Sequence, residues 1–297
     1  MSWTLYRWVW RIRSPVHLGI SPAGSLARTR LYVPARTLWG ALTAELTRAR
    51  ADDRTLTSED YIQMGEWLQK STRFSYLYPA QKIGDEWVAW LPQYHDRDGE
   101  KEKTGLVWQR EDGGLALGDR EFRTCLLGTH ASTAINPYSD TAEEGTLRET
   151  ETILPQWRNS RHKHPDGPVA FVGYVFCRDE SLWQNLCEIK EIWVGGDSRY
   201  GFGCLSQEET TSVSSFWGRE INVGEGNPVV KTSVLLAHSI VTNENQAFKG
   251  SMEVLQQYDR GAIRISGIAW TPGTKVSGDT DFDFELFPSG LWNIRRG

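Results

Sequence analysis

The chain has 297 residues, 39% of them hydrophobic and 24% charged, which is enough for one large or two smaller globular domains, each with a real core. No window approaches the ~20 consecutive apolar residues that cross a bilayer, and arginines interrupt the apolar start, which argues against a signal peptide; we expect a cytoplasmic protein. The net charge of −5 counts against a simple nucleic-acid-binding protein.

The charge is unevenly divided along the chain. The first 50 residues hold eight arginines and one acid, giving +7 and leaving −12 for the other 247 residues. This division predicts one basic surface and one acidic surface, the acidic one facing a basic protein partner. Solvated charge without a partner is the alternative.

Tryptophan and cysteine usage is informative. Fourteen tryptophans are unusual, and because this side chain both fills cores and stacks on bases or sugars, we expect most of them in the core and one or two on the surface. The four cysteines form no C-x-x-C pair, which argues against a zinc ribbon and fits reduced thiols, although spacing alone does not exclude disulfides. They are Cys125, Cys177, Cys187 and Cys204.

The N-terminal quarter predicts a strand followed by two helices. Residues 4–13 are rich in β-branched and aromatic side chains, which favours a strand. A helix is predicted after Pro34, with Leu38, Leu42 and Leu46 as its apolar stripe, and Gly40 is interpreted as a point of close packing. Thr57 and Asp60 have the spacing of a capping box, which predicts a second helix at 58–70.

The rest of the chain predicts hairpins and then a second strand–helix–strand unit. Residues 72–125 are interpreted as inserted β-hairpins, with a charged tip at 96–103. A buried strand, a short helix and two strands are predicted between residues 169 and 206. The resulting βαββαβ order predicts an α+β, ferredoxin-like (RRM-like) domain over 1–206, followed by a smaller α+β half over 207–297.

A glycine-rich loop between two strands is the sharpest motif. It runs G-G-D-S-R-Y-G-F-G from Gly195 to Gly203. Four glycines in nine residues indicate positive φ angles or close approach, and exposed amides in such a loop can bind anions. Arg199 could chelate phosphate, and Tyr200 or Phe202 could stack on a base. The spacing fits neither a Rossmann loop nor a Walker loop, so the alternative is a hairpin without a ligand.

The order of four segments resembles the RAMP superfamily, the RRM-like subunits of CRISPR effector complexes. The G-G-x-x-R-x-G-x-G loop resembles its signature, 14–19 its opening turn, and 33–42 its P-x-x-x-L-x-G-A-L helix start. Residues 142–147 and 171–173 resemble the A-x-x-G-x-L and F-x-G pieces of the Cas-five-type branch in type III systems. The resemblance spans about two-thirds of the chain; Asn136-Pro137 stands where relatives often have an acidic–basic pair.

The resemblance implies a non-catalytic subunit that caps a type III complex. Such a subunit binds the 5′ tag of the CRISPR RNA, contacts the large polymerase-like subunit and the backbone RAMP subunits, and meets target RNA indirectly. It also projects a hairpin thumb that kinks the guide, for which we expect the strands between 86 and 125. The expected RNA-binding residues are Gly195, Gly196, Ser198, Arg199, Tyr200, Gly201, Phe202, Gly203, Arg36, Thr37, Trp39, His17, Arg28, Arg30, Arg161 and Lys163.

Two alternatives remain open, and we expect no cofactor, no metal and no membrane partner. Some RAMP proteins cut RNA with histidine as general acid or base, and His17, His162 and His164 are the candidates here for an endoribonuclease that processes precursor CRISPR RNA. A structural histidine or an exposed basic loop is the plainer explanation of these residues. A tryptophan-rich carbohydrate-binding module is the second alternative.

Overall fold

The structure is a computed structural model that describes residues 2–20, 24–51, 54–95, 105–158, 165–245, 247–259, 262–276 and 281–295. Four of the predicted site residues (Arg161, His162, Lys163 and His164) and the charged tip at 96–103 lie outside these ranges. In the described residues, no helix is long and apolar enough to span a membrane.

A nine-stranded antiparallel sheet organises the chain. Its order is β13-β14-β1-β12-β4-β5-β6-β7, and β3 also pairs with β12. Strand β12 reads VAFVGYVFC and is buried at every position, as expected for a strand covered on both faces. The strands are β1 Thr4–Ile12, β3 Thr72–Phe74, β4 Tyr78–Ile83, β5 Glu86–His95, β6 Gly105–Arg110, β7 Ala116–Gly118, β12 Val169–Cys177, β13 Glu191–Trp193 and β14 Cys204–Ser212.

The three predicted helices form, and a fourth helix at Asp119–Leu126 lies at the end of the segment 72–125, which had been interpreted as hairpins. The stripe Leu38, Leu42 and Leu46 is buried as the 3.6-residue period requires. Gly40 has open space around it, so the interpretation of close packing there is wrong; Gly65 of the next helix instead lies against the indole of Trp39. The helices are α1 Ala35–Ala49, α2 Ser58–Ser71, α3 Asp119–Leu126 and α4 Glu180–Glu188.

The ends of these helices follow from local sequence. Pro34 lies just before α1 in extended conformation, and α2 carries the predicted capping box, with the Asp60 carboxylate accepting from the backbone amide of Thr57 at 2.8 Å. Arg54 also binds this carboxylate, and together these hydrogen bonds hold the pKa of Asp60 well below its usual range. The side chain of Asp179 caps α4 by accepting from the amide of Leu182 at 3.1 Å.

Smaller sheets complete the structure. A three-stranded sheet has the order β2-β11-β8, and two further sheets, β15-β16-β20-β21 and β17-β19-β18, lie in the C-terminal region. All regular elements in the described residues after Ser212 are strands, so the helical part of the predicted α+β C-terminal half is not seen there. The strands are β2 Leu26–Ala27, β8 Leu127–Ser132, β9 Ile135–Asn136, β10 Thr141–Ala142, β11 Arg148–Ile153, β15 Ile221–Asn222, β16 Val229–Thr232, β17 Ser239–Ile240, β18 Met252–Asp259, β19 Ala262–Trp270, β20 Phe282–Leu286 and β21 Trp292–Ile294.

The described part of the chain is therefore α+β, with mostly antiparallel sheets and few helices. The division of the chain at residues 206 and 207 stays a prediction; strand β14 runs through that point and ends at Ser212.

The tryptophans mostly build the core, as expected. Eleven of the fourteen are buried, Trp39 and Trp67 are half-buried, and Trp193 is 43% exposed. Three of the buried ones lie in β5 and β6, where Trp108 stacks on Phe122 with ring centroids 4.5 Å apart. The strands between 86 and 125, which the sequence suggested as a projecting thumb, therefore lie inside the main sheet.

Candidate nucleic-acid interface

Two glycines of the loop occupy positions that exclude any side chain. Gly195 has φ +82°, and a Cβ there would lie 2.1 Å from the carbonyl oxygen of His17. Gly203 has φ +92°, and a Cβ there would lie 2.2 Å from the carbonyl oxygen of Val194. The glycine spacing is thus required by the close approach of the loop to the backbone of its neighbours, as the sequence predicts.

The loop rests on the turn that follows β1. The amide of Gly196 donates to the carbonyl of His17 at 2.9 Å, and the amide of Gly203 donates to the carbonyl of Pro15 at 2.8 Å. The side chain of Ser14 also accepts from the amide of Cys204 at 3.0 Å. Residues 14–19 and 195–203, two segments singled out separately in the sequence, therefore form one unit.

The tip of the loop faces solvent. Asp197, at φ 59°, precedes a 3₁₀ turn at Ser198–Tyr200, and Gly201 follows with φ +84°. Ser198, Arg199 and Tyr200 are exposed, and Tyr200 reaches 73%. An exposed guanidinium beside an exposed phenol can hold a phosphate and a base together.

The loop has fewer amides for an anion than the sequence suggests. The amides of Tyr200 and Gly201 donate to the carbonyls of Asp197 and Ser198, within the 3₁₀ turn. The amides of Gly196 and Gly203 donate to the turn after β1, so four amides of the loop already have hydrogen-bond partners within the protein. The positive charge that the loop offers a polyanion comes mainly from the side chain of Arg199.

A largely exposed β-structure braces the loop, and sequence reasoning did not find it. We call residues 127–153 the arm; they contain β8, β9, β10 and β11. Asp197 of the loop pairs with Arg148 of the arm at 2.5 Å, and the ring of Phe202 lies 5.0 Å from that of His130. The loop and the arm therefore form one continuous surface.

The arm presents apolar side chains to solvent. Ile135 is 66% exposed, Tyr138 97% and Leu147 60%. Asn136 accepts from the amide of Tyr138 at 2.9 Å, which holds the turn that displays the phenol ring. One signal in the sequence could have indicated this exposed segment. Residues 128–147 contain only these three large apolar residues, which are too few to bury a pair of strands.

His17 is a buried part of the scaffold. It is 8% exposed, and its Nδ1 lies 2.8 Å from the carbonyl oxygen of Glu151 in the arm. Since a carbonyl only accepts, Nδ1 carries the proton. The imidazole therefore lies under the loop and links it to the arm; this position fits the structural role better than direct contact with RNA.

The predicted residues on α1 take part in helix packing. Trp39 donates from its indole Nε1 to the carbonyl of Gly65 at 3.0 Å, and Arg36 lies over the Trp39 ring at 5.6 Å from its centroid. Thr37 is half-buried in the first turn of the helix. No described contact joins these three residues to the glycine loop.

The two arginines before α1 differ from each other. Arg28 is half-buried, and its carbonyl accepts from the amide of Ile20 at 3.1 Å. Arg30 points inward and pairs with Glu253 at 2.5 Å, so its charge is already neutralised by the C-terminal region. As an RNA contact Arg30 is therefore poorly placed, because a phosphate would compete with a carboxylate that is already bound.

Arg30 belongs to a buried polar network that the sequence did not predict. His238, 2% exposed, has Nδ1 at 2.6 Å from the Tyr76 hydroxyl and Nε2 at 2.5 Å from Glu253. The Nε2 proton is donated to the carboxylate, so Nδ1 accepts from Tyr76. Tyr32 lies 3.3 Å from Nε2 and completes the group.

The pKa values of this network follow from its burial. Desolvation lowers the pKa of His238, although Glu253 opposes that shift. Burial alone would raise the pKa of Glu253, but the hydrogen bonds and charges of His238 and Arg30 lower it. At neutral pH the network therefore holds a neutral imidazole beside an ion pair.

Comparison with known proteins is informative only through the structure, because no protein-family model and no curated protein sequence matches the chain. A chain of type III-B Cmr-beta bound to cognate target RNA and AMPPnP superposes with a TM-score of 0.50 and 10% identity, over 91% of this chain and 85% of that one. This protein shares its fold. A chain of type III-B Cmr-beta bound to cognate target RNA also gives a TM-score of 0.50 and 10% identity, over 91% and 86%. The resemblance to type III subunits seen in the sequence is confirmed at the level of the fold.

Proposed function

We propose that the chain is a non-catalytic RNA-binding subunit of a type III CRISPR effector complex. It binds the 5′ tag of the CRISPR RNA and caps the complex beside the large subunit. The observation that carries this proposal is the exposed Arg199–Tyr200 turn, braced by the arm, in a chain that has the fold of a Cmr-beta chain.

The topology supports a ferredoxin-like core. Strands β14, β1, β12 and β4 are neighbours in that order and antiparallel, while α1 connects β1 to the β3–β4 region and α4 connects β12 to β13 and β14. This is the fourth-first-third-second order of a βαββαβ domain, if β3 and β4 together count as its second strand. The glycine loop then lies between the last two strands, where the RAMP resemblance expects it.

The chemistry of the loop suits a backbone-directed contact. A guanidinium binds phosphate through parallel hydrogen bonds whatever the base, which positions a strand without reading its sequence. Tyr200 offers a flat ring to one base at roughly 1–3 kcal/mol. We assign the arm, rather than the strands between 86 and 125, as the thumb that distorts the guide, because its apolar side chains are exposed and connected to the loop.

Two features argue against the alternatives. His17, one of the three histidines considered for cleavage, is buried and bonded to the arm, which leaves it poorly placed for a scissile phosphate. A carbohydrate-binding module stacks sugars on exposed tryptophans, whereas eleven of the fourteen here are buried.

The proposal is tested by binding of tagged guide RNA to two arginine variants. Arg199→Ala should weaken binding about tenfold or more at moderate salt, because a charge-assisted hydrogen bond of about 1.5–3 kcal/mol is lost, and should reduce the salt dependence of binding. Arg48→Ala, which removes the same charge from the far end of α1, should bind as the wild type does. Fluorescence anisotropy over a range of salt concentrations measures both.

Equal affinity of the two variants would contradict the assignment of the loop. Incubation with repeat RNA provides the second arm of the test, in which we expect binding and intact RNA. Cleavage that is lost in His17→Ala, His162→Ala or His164→Ala would favour the endoribonuclease instead.

A further inference from the structure

We propose that a cavity between the N-terminal and C-terminal parts of the chain holds one unstacked nucleobase of the RNA that the glycine loop grips. The cavity has a volume of about 370 Å³ and opens to solvent. The inference rests on the proposed function, since it adds a second contact for the same RNA. We call this cavity the seam pocket, because its walls come from residues 20, 30–32, 92–94 and 106–123 on one side and from 251–253 and 271–272 on the other.

Flat apolar surfaces line much of the seam pocket. Tyr32 and Tyr94 are half-buried, and Trp108 is buried at its base. Pro92 and Pro272 add rigid apolar surface. Aromatic walls around a concave site favour a planar ring over a flexible chain, and splayed-out bases of single-stranded RNA are held in this way.

The charges of the seam pocket favour a base rather than a phosphate. Arg30 is paired with Glu253 at 2.5 Å, and Nε of Arg123 is paired with Asp119 at 2.8 Å, so the four formal charges cancel. A phosphate would meet two carboxylates, whereas a neutral heterocycle with donors and acceptors meets matching groups of both kinds.

One guanidinium retains hydrogen-bonding capacity for a ligand. Arg123 donates from Nε to Asp119, and within the part of the chain that the structure describes its two terminal nitrogens have no partner. The other carboxylate oxygen of Asp119 accepts from the indole of Trp108 at 2.9 Å, which fixes the direction of the pair. Arg123 is thus a positioned donor at the edge of an aromatic pocket.

The seam pocket is close to the glycine loop along the chain. The carbonyl of His17 accepts a hydrogen bond from the amide of Gly196 beneath the loop, and Ile20, three residues later, lines the pocket. Three residues span at most about 11 Å. An RNA strand bound at Arg199 therefore reaches the pocket within a few nucleotides.

The pocket is tested by an abasic scan of the bound RNA crossed with a pocket variant. Each nucleotide in turn is replaced by an abasic residue, and the affinity of each RNA is measured for the wild type and for Tyr94→Ala. At one position near the loop contact, loss of the base should weaken wild-type binding about tenfold, and Tyr94→Ala should weaken binding of intact RNA by a similar factor. At that position, Tyr94→Ala should bind the abasic RNA no more weakly than Tyr94→Ala binds intact RNA or the wild type binds the abasic RNA.

The control and the second readout keep the outcomes distinct. Tyr61→Ala, on α2 and outside the pocket, should leave the abasic profile of the wild type unchanged. Saturation-transfer NMR with adenosine, guanosine, cytidine and uridine should show contact with at least one nucleoside in the wild type, and this contact should be lost in both Tyr94→Ala and Arg123→Gln.

Each remaining result decides a separate question. If the effects of Tyr94→Ala and of base removal multiply at every position, the pocket holds no base of the RNA and the inference is overturned. If the wild type binds no RNA, the proposed function fails. Saturation transfer from the protein to a nucleoside would then still support a nucleobase site. No transfer to any of the four nucleosides would overturn the pocket as well.

Discussion

Strands β5–β7 and the arm are neighbouring hairpin-rich segments that differ in environment. The first carries Trp87, Trp90 and Trp108, all buried within the main sheet. The second has three large apolar residues between 128 and 147, and all three are exposed. Turn signals predicted hairpins in the first segment only, and the density of large apolar side chains is what distinguishes the buried segment from the exposed one.

The difference separates stability from binding. A buried aromatic ring contributes through the apolar area it removes from water and the cavity it leaves when truncated. An exposed ring contributes almost nothing to folding, and its place on the solvent-facing part of the arm fits contact with a partner. Substitutions in the two segments should therefore affect different measurements.

Truncating an aromatic side chain in each segment should give the largest contrast. Trp108→Ala removes a ring that stacks on Phe122 and donates to Asp119, so it should lower the free energy of unfolding by about 3–5 kcal/mol. Tyr138→Ala, in the arm, should change it by less than about 0.5 kcal/mol. Urea denaturation followed by circular dichroism measures both. Similar losses in the two variants would show that the arm is part of the core.

The extent of sequence prediction follows the same division. The first strand, α1, α2, α4 and the hairpin turns were predicted because their periodicity, caps and glycines are local signals. The arm was not predicted, and neither was the place of β5 in the main sheet, because only tertiary pairing decides which extended segment joins a sheet.

The site was predicted in part for the same reason. Gly195 and Gly203 could be assigned from spacing, since close backbone approach requires glycine. Arg148 gave no sign of its role, because its partner Asp197 is 49 residues away in the sequence. The network of Tyr76, His238 and Glu253 brings together residues from distant segments and has no local signature.

Acid should destabilise the side of the molecule that contains the seam pocket. The folded-state pKa of His238 lies below its ordinary value of 6.5. As the pH drops below about 6.5, this imidazole is therefore protonated more readily in the unfolded chain than in the folded protein, and the stability of the folded protein falls. The pKa of Glu253 is also lowered from 4.5, so its contribution is lost at still lower pH. Between pH 6.5 and 5 the slope from His238 should approach, at most, about 1.4 kcal/mol per pH unit.

A variant separates this titration from general acid effects. His238→Asn should have a lower unfolding free energy at pH 7.5 but a flatter dependence on pH between 7.5 and 5, measured by urea denaturation at each pH. Identical slopes in the variant and the wild type would mean that His238 does not titrate in this range.

The smallest expected effect concerns the contact between the arm and the loop. Because the Arg148 side chain is exposed to solvent, its pairing with Asp197 should couple only weakly to stability, and the coupling should decrease in high salt. A double-mutant cycle of Arg148→Ala and Asp197→Ala on unfolding free energy measures it. Asp197 has a positive φ, so Asp197→Asn, which tolerates that backbone while removing the charge, is the matched single variant.

The same variants test whether the loop and the arm act as one RNA-binding surface. If they do, Arg148→Ala should weaken RNA binding more in the wild-type background than in the Asp197→Asn background, because a carboxylate released from Arg148 repels phosphate beside Arg199. Equal losses in both backgrounds would mean that Arg148 contacts the RNA itself or that the arm acts independently of the loop.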